Sequence, residues 1–313
     1  MNRIATIGMF DGVHKGHQFL LRQLVMEAEQ RALQSLVVTF FTHPRNLLTG
    51  SKERLLTTRD ERRALLEACG VDKVVMLEFG DVRTQTAGQF MHYLRERYDV
   101  TALMMGYDHR FGSDRLSLFD DYVKAGKDAG VEVLLLQEAS SSHLSDVEWY
   151  KHTAASDRPC PISSSLIRKA LQEGYIEAAN EMLGREYSLF GKVVHGKGLG
   201  TRLGFPTANI SLSDPDKLLP KDGVYAVRTE ISGIVYQAVM NIGTNPTVQD
   251  RDEPRTYIEV HIIGFEGNLY NQLLRVEILH RLRDEQRFDS LDSLRRQIQT
   301  DIRQCEEDSN ESL

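Results

Sequence analysis

Two histidines that flank a lysine and a glycine, His14-Lys15-Gly16-His17, are the first residues of this sequence whose types and spacing could do chemistry. They follow a short apolar run and precede a helical pattern, so they stand where a strand passes through a loop into a helix. Backbone N–H groups at such a helix start attract phosphate, and Gly16 would let a phosphate approach closely. No third histidine or cysteine stands nearby at ligand spacing, so a nucleotide site is favoured over a two-histidine metal site or a pair of capping histidines.

Two further polar segments of the first half are candidates for the same site. Residues 106–112 form a polar loop after an apolar run, and a salt-bridged turn explains this loop equally well. Residues 162–168 are a serine-rich helix start with Arg168 one turn in, where hydroxyl and N–H groups suit phosphate. A capping box is the alternative for the serines, but capping alone does not require the arginine.

A glycine-rich stretch of the second half, residues 196–204, offers another place for phosphates because its backbone N–H groups could surround them. Hairpin turns use such sequences too, and the strand, loop and helix order of a Walker P-loop is missing. Further along, Glu259 alternates with apolar Ile258 and Val260 on a predicted strand. That pattern by itself is typical of a solvated glutamate.

The first half, which must position the histidines, has the pattern of a doubly wound parallel sheet. Uninterrupted apolar runs, typical of strands buried on both faces, alternate with amphipathic helical segments. The predicted strands are 4–8, 36–41, 73–77, 102–105 and 131–136, and the predicted helices include 17–33, 58–69 and 88–98. Thr58 is the expected N-cap of the second helix, and Gly70 is the expected left-handed residue after it.

The second half has a different rhythm, in which β runs follow one another with turn residues between them. The predicted strands are 189–194, 224–229, 235–242, 257–263 and 274–279, which indicates a β-barrel or sandwich. One helix, 291–302, follows, with Asp289 or Ser290 as its cap. The predicted domains are 1–184 and 185–313, and the first of them ends with a helical pair at 165–172 and 176–183.

Composition limits the function classes. With 313 residues the chain is long enough for two domains, and its formal charge of -7 argues against a nucleic-acid surface. Three distant cysteines without paired spacing are typical of thiols in a reducing compartment. No apolar stretch approaches the roughly 20 residues that span a bilayer, and the N-terminus resembles no targeting peptide. We therefore expect a cytoplasmic protein that binds neither nucleic acid nor membrane, and the sequence predicts no oligomeric state.

The histidine segment resembles the H-x-G-H signature of the nucleotidylyltransferases, and residues 10–14 narrow the resemblance to the adenylyltransferase half of bacterial FAD synthetases. Residues 39–44, 106–112 and 162–168 are similar to three further motifs of that family. The resemblance implies a Rossmann-like fold in which ATP binds Gly8, Phe10, Asp11, Gly12, His14, Gly16, His17, Ser163, Ser164 and Arg168. It also implies that FMN binds His43, Pro44, Asp108 and Arg110.

Adenylyl transfer to an FMN phosphate needs mainly alignment and charge stabilisation, because the attacking phosphate is already anionic. We therefore expect His14 and His17 to donate hydrogen bonds to the ATP phosphates rather than to act as bases. Arg168 is expected on the leaving pyrophosphate.

Residues 204–209 resemble the P-T-A-N signature of riboflavin kinases, so nearly the whole chain is similar to the bifunctional bacterial riboflavin kinase/FAD synthetases. The resemblance implies that the second half makes FMN from riboflavin and ATP, with Glu259 as base and Mg²⁺ shared by Thr207 and Asn209. It implies that ATP binds Gly196, Lys197, Gly198, Gly200, Arg202, Gly204, Thr207 and Asn209. Riboflavin is expected at Arg283, Glu285 and Phe288.

Two positions depart from the family pattern: His109 replaces a phenylalanine, and Asn271 stands where glycine is common. Asparagine tolerates the left-handed backbone that such a glycine often supplies. Two other functions are alternatives, an adenylyltransferase for a different phosphorylated substrate with an accessory barrel, and a flavin carrier without chemistry. The P-T-A-N segment and Glu259 oppose both.

Overall fold

The computed structural model describes residues 1–42, 50, 53–106, 109–136, 162–196, 198–245 and 255–310. Described residues up to Ser164 form one compact unit, and those from Ser165 onward form another. The predicted fold class is confirmed, because the first unit is α/β with a parallel sheet and the second is a closed β-barrel with a terminal helix. The predicted domain limits, 1–184 and 185–313, stay a prediction. No described helix is both long and apolar enough to cross a bilayer.

The three central strands of the first unit's sheet consist mostly of buried apolar residues, as predicted for strands that are covered on both faces. The strands are β1 (Arg3–Ile7), β2 (Gln34–Phe40), β3 (Lys73–Leu77), β4 (Val100–Met105) and β5 (Glu132–Leu135). They are parallel and lie in the order β3-β2-β1-β4-β5. The chain leaves β1 toward β2 on one side and later returns to β4 on the other. The carboxyl end of β1 is therefore the switch point at which such sheets bind ligands.

Helices connect these strands, and the predicted ones form close to their predicted limits. They are α1 (Lys15–Gln30), α2 (Arg59–Ala68), α3 (Phe79–Val82), α4 (Ala87–Tyr98) and α5 (Phe119–Ala129). Thr58 caps α2 in a full capping box with Glu61, and Gly70 has a φ of +83°, both as predicted. The sequence analysis did not identify α5, whose N-cap Leu118 makes no side-chain hydrogen bond. Its Gly126 is a poor helix former, but a Cβ there would lie 2.5 Å from Val133.

The second unit closes its sheet into a barrel. Its strands are β6 (Tyr187–Val194), β7 (Ala208–Leu212), β8 (Gly223–Ile231), β9 (Ile234–Asn245), β10 (Arg255–Ile262) and β11 (Leu273–Arg283). The closed order is β10-β7-β6-β11-β8-β9, with antiparallel pairing throughout. Alternate residues such as Met240, Ile242, Ile258 and Val260 are buried inside it. Strand β7 was not predicted, since Pro206 precedes it and its outward residues Asn209 and Ser211 are polar.

Four further helices are α6 (Ser164–Glu173), α7 (Ile176–Leu183), α8 (Leu199–Leu203) and α9 (Leu291–Asn310). The last one covers the outer faces of β8 and β9, where Cys305 packs against Val224, Ala226 and Val239. Its N-cap is Ser290, one of the two predicted residues, because Ser290 Oγ accepts the Ser293 N–H at 3.1 Å. Asn271 adopts the expected left-handed backbone, with a φ of +67°.

Candidate active sites

The first candidate site lies between the end of β1 and the start of α1, at the switch point of the sheet. His14 caps α1, and its Nδ1 accepts the His17 N–H at 3.3 Å. The two imidazole rings stack with their centroids 3.6 Å apart. Because Nδ1 of His14 accepts a hydrogen bond, the proton of the neutral ring belongs on Nε2, which makes that atom a donor. The structure therefore brings the two histidines together.

His17 is held as a neutral imidazole. Burial lowers its pKa well below the usual value, and the neighbouring His14 lowers that pKa further. Its Nδ1 is buried and has no hydrogen-bond partner among the described residues. The ring edge-packs on Phe10, with centroids 5.2 Å apart. A neutral ring with one N–H is a hydrogen-bond donor to phosphate without acting as a charged acid.

The backbone of this loop is strained and fixed by burial. Phe10, Gly12 and Val13 have φ angles of +51°, +84° and +40°. A left-handed residue other than glycine costs about 1–2 kcal/mol, and the Phe10 and Val13 side chains offset this cost by being almost completely buried. Gly8 and Gly16 allow tight packing inside the loop. A Cβ would lie 3.0 Å from the Phe10 ring at Gly8 and 3.2 Å from His14 Nδ1 at Gly16.

Asp11 fixes the loop by hydrogen bonds to residues 56 and 57. Its carboxylate is buried and accepts the N–H groups of Leu56 and Thr57 and the Thr57 hydroxyl, each at 3.0 Å. The same hydroxyl accepts the Gly12 N–H at 3.1 Å, and Ser164 Oγ donates to the Asp11 carbonyl at 2.8 Å. The sequence analysis missed Thr57, and no local pattern marks it.

Arg62 is a second residue that the sequence analysis missed. It is completely buried, and burial lowers the pKa of its guanidinium. Its Nη2 donates to the Phe40 carbonyl at 2.5 Å, and its Nη1 lies 3.8 Å from Met9 Sδ, so it sits under the ends of β1 and β2. An arginine on a helix usually indicates a solvated position, which is why the sequence alone gave no signal.

The other predicted residues of the first site vary in how far the structure describes them. Ser163 is partly buried, and Arg168 is buried one turn into α6. Arg110 is exposed, and its Nη1 donates to the His109 carbonyl at 2.9 Å. His43, Pro44 and Asp108 lie outside the described residues.

The second candidate site is a polar row on the outer face of the barrel. Asn209 of β7 lies directly opposite Glu259 of β10, and Glu259 lies directly opposite Asn241 of β9. Side chains that are directly opposite on neighbouring strands have Cβ atoms about 4.5–5.5 Å apart and share a face. Glu259 therefore stands between two asparagines, flanked by the buried Ile258 and Val260 as its strand pattern predicts.

The glycine-rich segment folds onto one end of this row. A Cβ on Gly196 would lie 2.1 Å from Asn209 Nδ2, and a Cβ on Gly200 would lie 2.4 Å from the Phe205 carbonyl and 3.1 Å from Thr207 Oγ1. Gly198 and Gly204, with φ angles of +69° and +88°, flank the short helix α8 that carries Arg202. Lys197 lies outside the described residues. Thr207 and Asn209 supply neutral oxygens, and they lie beside glycines where a Cβ would collide with them. This set of oxygens fits a hard divalent cation that is shared with phosphates.

A cavity of about 200 Å³ adjoins Thr207. Apolar residues dominate its wall, among them Val193, Val260 and Leu269. The ring of Tyr270, another wall residue, stacks on His195 with centroids 3.8 Å apart. A flat, mostly apolar group fits such a space.

A carboxylate is held at the other end of the polar row. Glu285 Oε1 accepts the Tyr257 hydroxyl at 2.7 Å and Asn241 Nδ2 at 3.0 Å. Burial and this hydrogen bond raise the pKa of Tyr257, so its hydroxyl remains a donor. Gly243 makes room for both groups, because a Cβ there would lie 2.3 Å from Glu285 Oε1 and 2.4 Å from Tyr257 Oη.

Arg283 and Phe288, both predicted near the flavin, bracket the segment that carries Glu285. Arg283 binds the buried Asp301 of α9 through two hydrogen bonds, of 2.9 and 2.8 Å, and its Nη1 donates to the Asp284 carbonyl at 3.0 Å. Its guanidinium carbon lies 6.0 Å from the centre of the Phe288 ring. Arg283 thus ties the segment to α9.

Comparison with known proteins covers both units. The family model described as FAD synthetase matches residues 1–145, and the model described as riboflavin kinase matches residues 183–308. Bifunctional riboflavin kinase/FMN adenylyltransferases from Pseudomonas fluorescens, Haemophilus influenzae and Escherichia coli K12 are 35%, 36% and 36% identical to this chain, over 95–96% of it and 90–91% of each relative. A crystal structure described as a macrolide-efflux protein from Streptococcus pneumoniae is 30% identical, with a TM-score of 0.82 over 96% of this chain and 93% of that one.

Proposed function

The chain belongs to the bifunctional riboflavin kinase/FMN adenylyltransferases, and from this premise we propose which residues carry each reaction. Its C-terminal region phosphorylates riboflavin with ATP to give FMN and ADP. Its N-terminal region transfers AMP from ATP to FMN to give FAD and pyrophosphate. Riboflavin, FMN and ATP are its substrates, and enzymes of both kinds generally use a divalent metal.

The observation that carries the kinase assignment is the polar row of Asn209, Glu259 and Asn241 beside the glycine-rich segment. The terminal ribityl hydroxyl gives its proton to Glu259 while its oxygen attacks the γ-phosphorus, and ADP leaves. Residues 196–204 bind the phosphates, including through Lys197 and Arg202. Thr207 and Asn209 would hold Mg²⁺, which supplies charge neutralisation at the phosphates.

The cavity beside Thr207 is the proposed place for the adenine of the kinase ATP. Its mostly apolar wall and the stacked His195 and Tyr270 suit a flat aromatic base next to the phosphate-binding residues. Riboflavin then approaches from the opposite end of the row, toward Glu285, Arg283 and Phe288.

In the first unit, His14 and His17 donate hydrogen bonds to the ATP phosphates as an FMN phosphate oxygen attacks the α-phosphorus and pyrophosphate leaves. The lowered pKa of His17 supports donation by a neutral imidazole at that residue. Gly8, Phe10, Gly12 and Gly16 shape the loop, and Asp11 fixes it. Ser163, Ser164 and Arg168 are proposed to bind ATP as well, and His43, Pro44, Asp108 and Arg110 to bind FMN.

We assign the protein to the cytoplasm, without nucleic-acid or membrane partners. The net charge of -7 supports the absence of nucleic acid, and the two described cysteines, Cys69 and Cys305, are free thiols, as a reducing compartment favours.

Two substitutions in the full-length protein test the division of labour. Glu259→Gln should lower FMN formation by about 10²–10⁴-fold, because it removes the base but keeps the shape of the side chain. His17→Ala should severely reduce FAD formation from supplied FMN. Each variant serves as the control for the other, since Glu259→Gln should retain FAD formation and His17→Ala should retain riboflavin phosphorylation. Chromatography of the flavins measures both, and near-normal FMN formation by Glu259→Gln would reject its assignment as base.

A further inference from the structure

The order of groups along the polar row fixes the direction from which the acceptor must come. The glycine-rich segment contacts the Asn209 end, so the phosphates occupy the β7 side of Glu259. A hydroxyl that loses its proton to Glu259 and attacks the γ-phosphorus in line must lie on the opposite side. That side is β9, where Asn241 lies directly opposite Glu259.

Asn241 presents an acceptor that the protein leaves unused. Its Nδ2 donates to Glu285 Oε1 at 3.0 Å, and since a carboxylate only accepts, this bond fixes which end of the amide is nitrogen. The remaining atom, Oδ1, is buried and has no hydrogen-bond partner among the described residues. A buried acceptor without a donor is destabilising, so a ligand hydroxyl that donates to it would recover stability.

The surrounding residues hold the amide in this orientation. Tyr257 donates to the same Glu285 oxygen at 2.7 Å, and the absence of a side chain at Gly243 allows the three groups to meet. Arg283 and Asp301 fix the segment that carries Glu285 to α9. The Asn241 amide is therefore preorganised before any substrate binds.

We infer that Asn241 is a ribityl-binding residue of the kinase, whose Oδ1 accepts a hydrogen bond from a secondary hydroxyl of the riboflavin side chain. Tyr257 is a positioning residue, which acts on Asn241 through Glu285. The inference rests on the proposed kinase site and adds the residue that recognises the polyol chain, next to the base and on the side away from ATP.

A substrate comparison in the full-length enzyme tests this inference. Asn241→Ala should raise KM for riboflavin by about 5- to 10-fold, the factor that corresponds to one lost hydrogen bond, and leave KM for ATP unchanged. A flavin with a 5-hydroxypentyl chain keeps the terminal hydroxyl but lacks the secondary ones. For this flavin, the KM of Asn241→Ala should therefore be within twofold of the KM of the wild-type enzyme. Tyr257→Phe should give a smaller rise in riboflavin KM than Asn241→Ala.

The matched control is Gln237→Ala. It removes another amide whose oxygen is buried and has no partner among the described residues, on the same face of β9 and four residues away.

Three outcomes would overturn the inference: an unchanged riboflavin KM in Asn241→Ala, an equal rise for both flavins, or a parallel rise in KM for ATP. FAD formation from FMN by the same samples reports on intact folding and should be unaffected. A wild-type enzyme that does not phosphorylate riboflavin would reject the proposed kinase itself, whereas an active enzyme with any of those three outcomes rejects only the role of Asn241.

Discussion

At the scale of single residues, the hydroxyl of Thr57 links the loop between β1 and α1 to the rest of the first unit. It donates to Asp11 and accepts from the Gly12 N–H, and the residue is buried. Thr57→Val keeps the shape but removes the hydroxyl that accepts the Gly12 N–H and donates to the buried Asp11 carboxylate. We expect the free energy of unfolding of the first unit to fall by about 2–3 kcal/mol in urea titrations, together with a loss of FAD formation.

Thr57→Ser is the matched control for this prediction, because it keeps the hydroxyl and removes only a methyl group. Its FAD formation should stay close to that of the wild type. A Thr57→Val variant as stable as Thr57→Ser would contradict the importance of the two hydrogen bonds.

His17 should make the stability of the first unit depend on pH. Its pKa is lowered in the folded state, so the unfolded chain binds the proton more readily near the usual value of about 6.5. Stability is then retained above that pH and lost as the pH falls below it, by at most about 1.4 kcal/mol per pH unit. Urea unfolding between pH 5 and 8 should show a shallower decline for His17→Gln than for the wild type. Equal slopes for the two proteins would argue against the lowered pKa.

The sequence predicted candidate site residues where a short segment alone carries the pattern. His14, His17, Thr207 and Asn209 stand in loops or at the start of an element, and spacing and resemblance together identified them. Thr57, Arg62, Asn241 and Tyr257 were not singled out, since each acts through contacts with residues at least 22 positions away in sequence. Such contacts exist only after the sheet and the barrel have formed, so no local pattern encodes them.

At the scale of elements, buried strands and capped helices were predictable, whereas elements with weak local signals were not. Thr58 and Glu61 signal the start of α2 because their capping box lies within four residues. Strand β7 and helix α5 depend on tertiary packing instead: the pairing of Asn209 with Glu259 and the close contact of Gly126 with Val133. Both elements contain residues that propensity disfavours, which packing overrides.

The segment between β6 and β7 requires glycine at position 196 because a larger residue would collide with Asn209. An alanine Cβ would lie 2.1 Å from Asn209 Nδ2, so Gly196→Ala must displace the amide that we place on the metal. A displacement of about 1 Å can cost on the order of 10²-fold in rate, and we expect a loss of that order in kcat/KM for riboflavin phosphorylation. FAD formation should be retained. Gly80→Ala is the control, because a Cβ there meets nothing within 4 Å, and kinase activity equal to that of Gly80→Ala would contradict the prediction.

At the scale of the whole molecule, the helical pair before the barrel is structurally part of the second unit. Asn180 of α7 donates to the Ile278 carbonyl at 2.8 Å and accepts the Tyr187 N–H at 2.7 Å, so it bridges β11 and β6. The Lys221 N–H donates to the Leu171 carbonyl of α6 at 2.9 Å. The barrel therefore depends on residues that precede the predicted limit at 185.

This packing predicts that a fragment of residues 162–313 is more stable than one of residues 185–313. The shorter fragment loses the bridge made by Asn180 and exposes barrel surface that α7 covers, and each large apolar side chain that loses burial costs about 1.5–3 kcal/mol. We expect 162–313 to phosphorylate riboflavin and to melt at a clearly higher temperature, as measured by calorimetry. Asn180→Ala in the full-length chain separates this effect from fragment length, because it removes the hydrogen bonds to the Ile278 carbonyl and the Tyr187 N–H and should lower the melting temperature of the barrel. Equal melting temperatures for the two fragments would instead make the barrel independent of the helices.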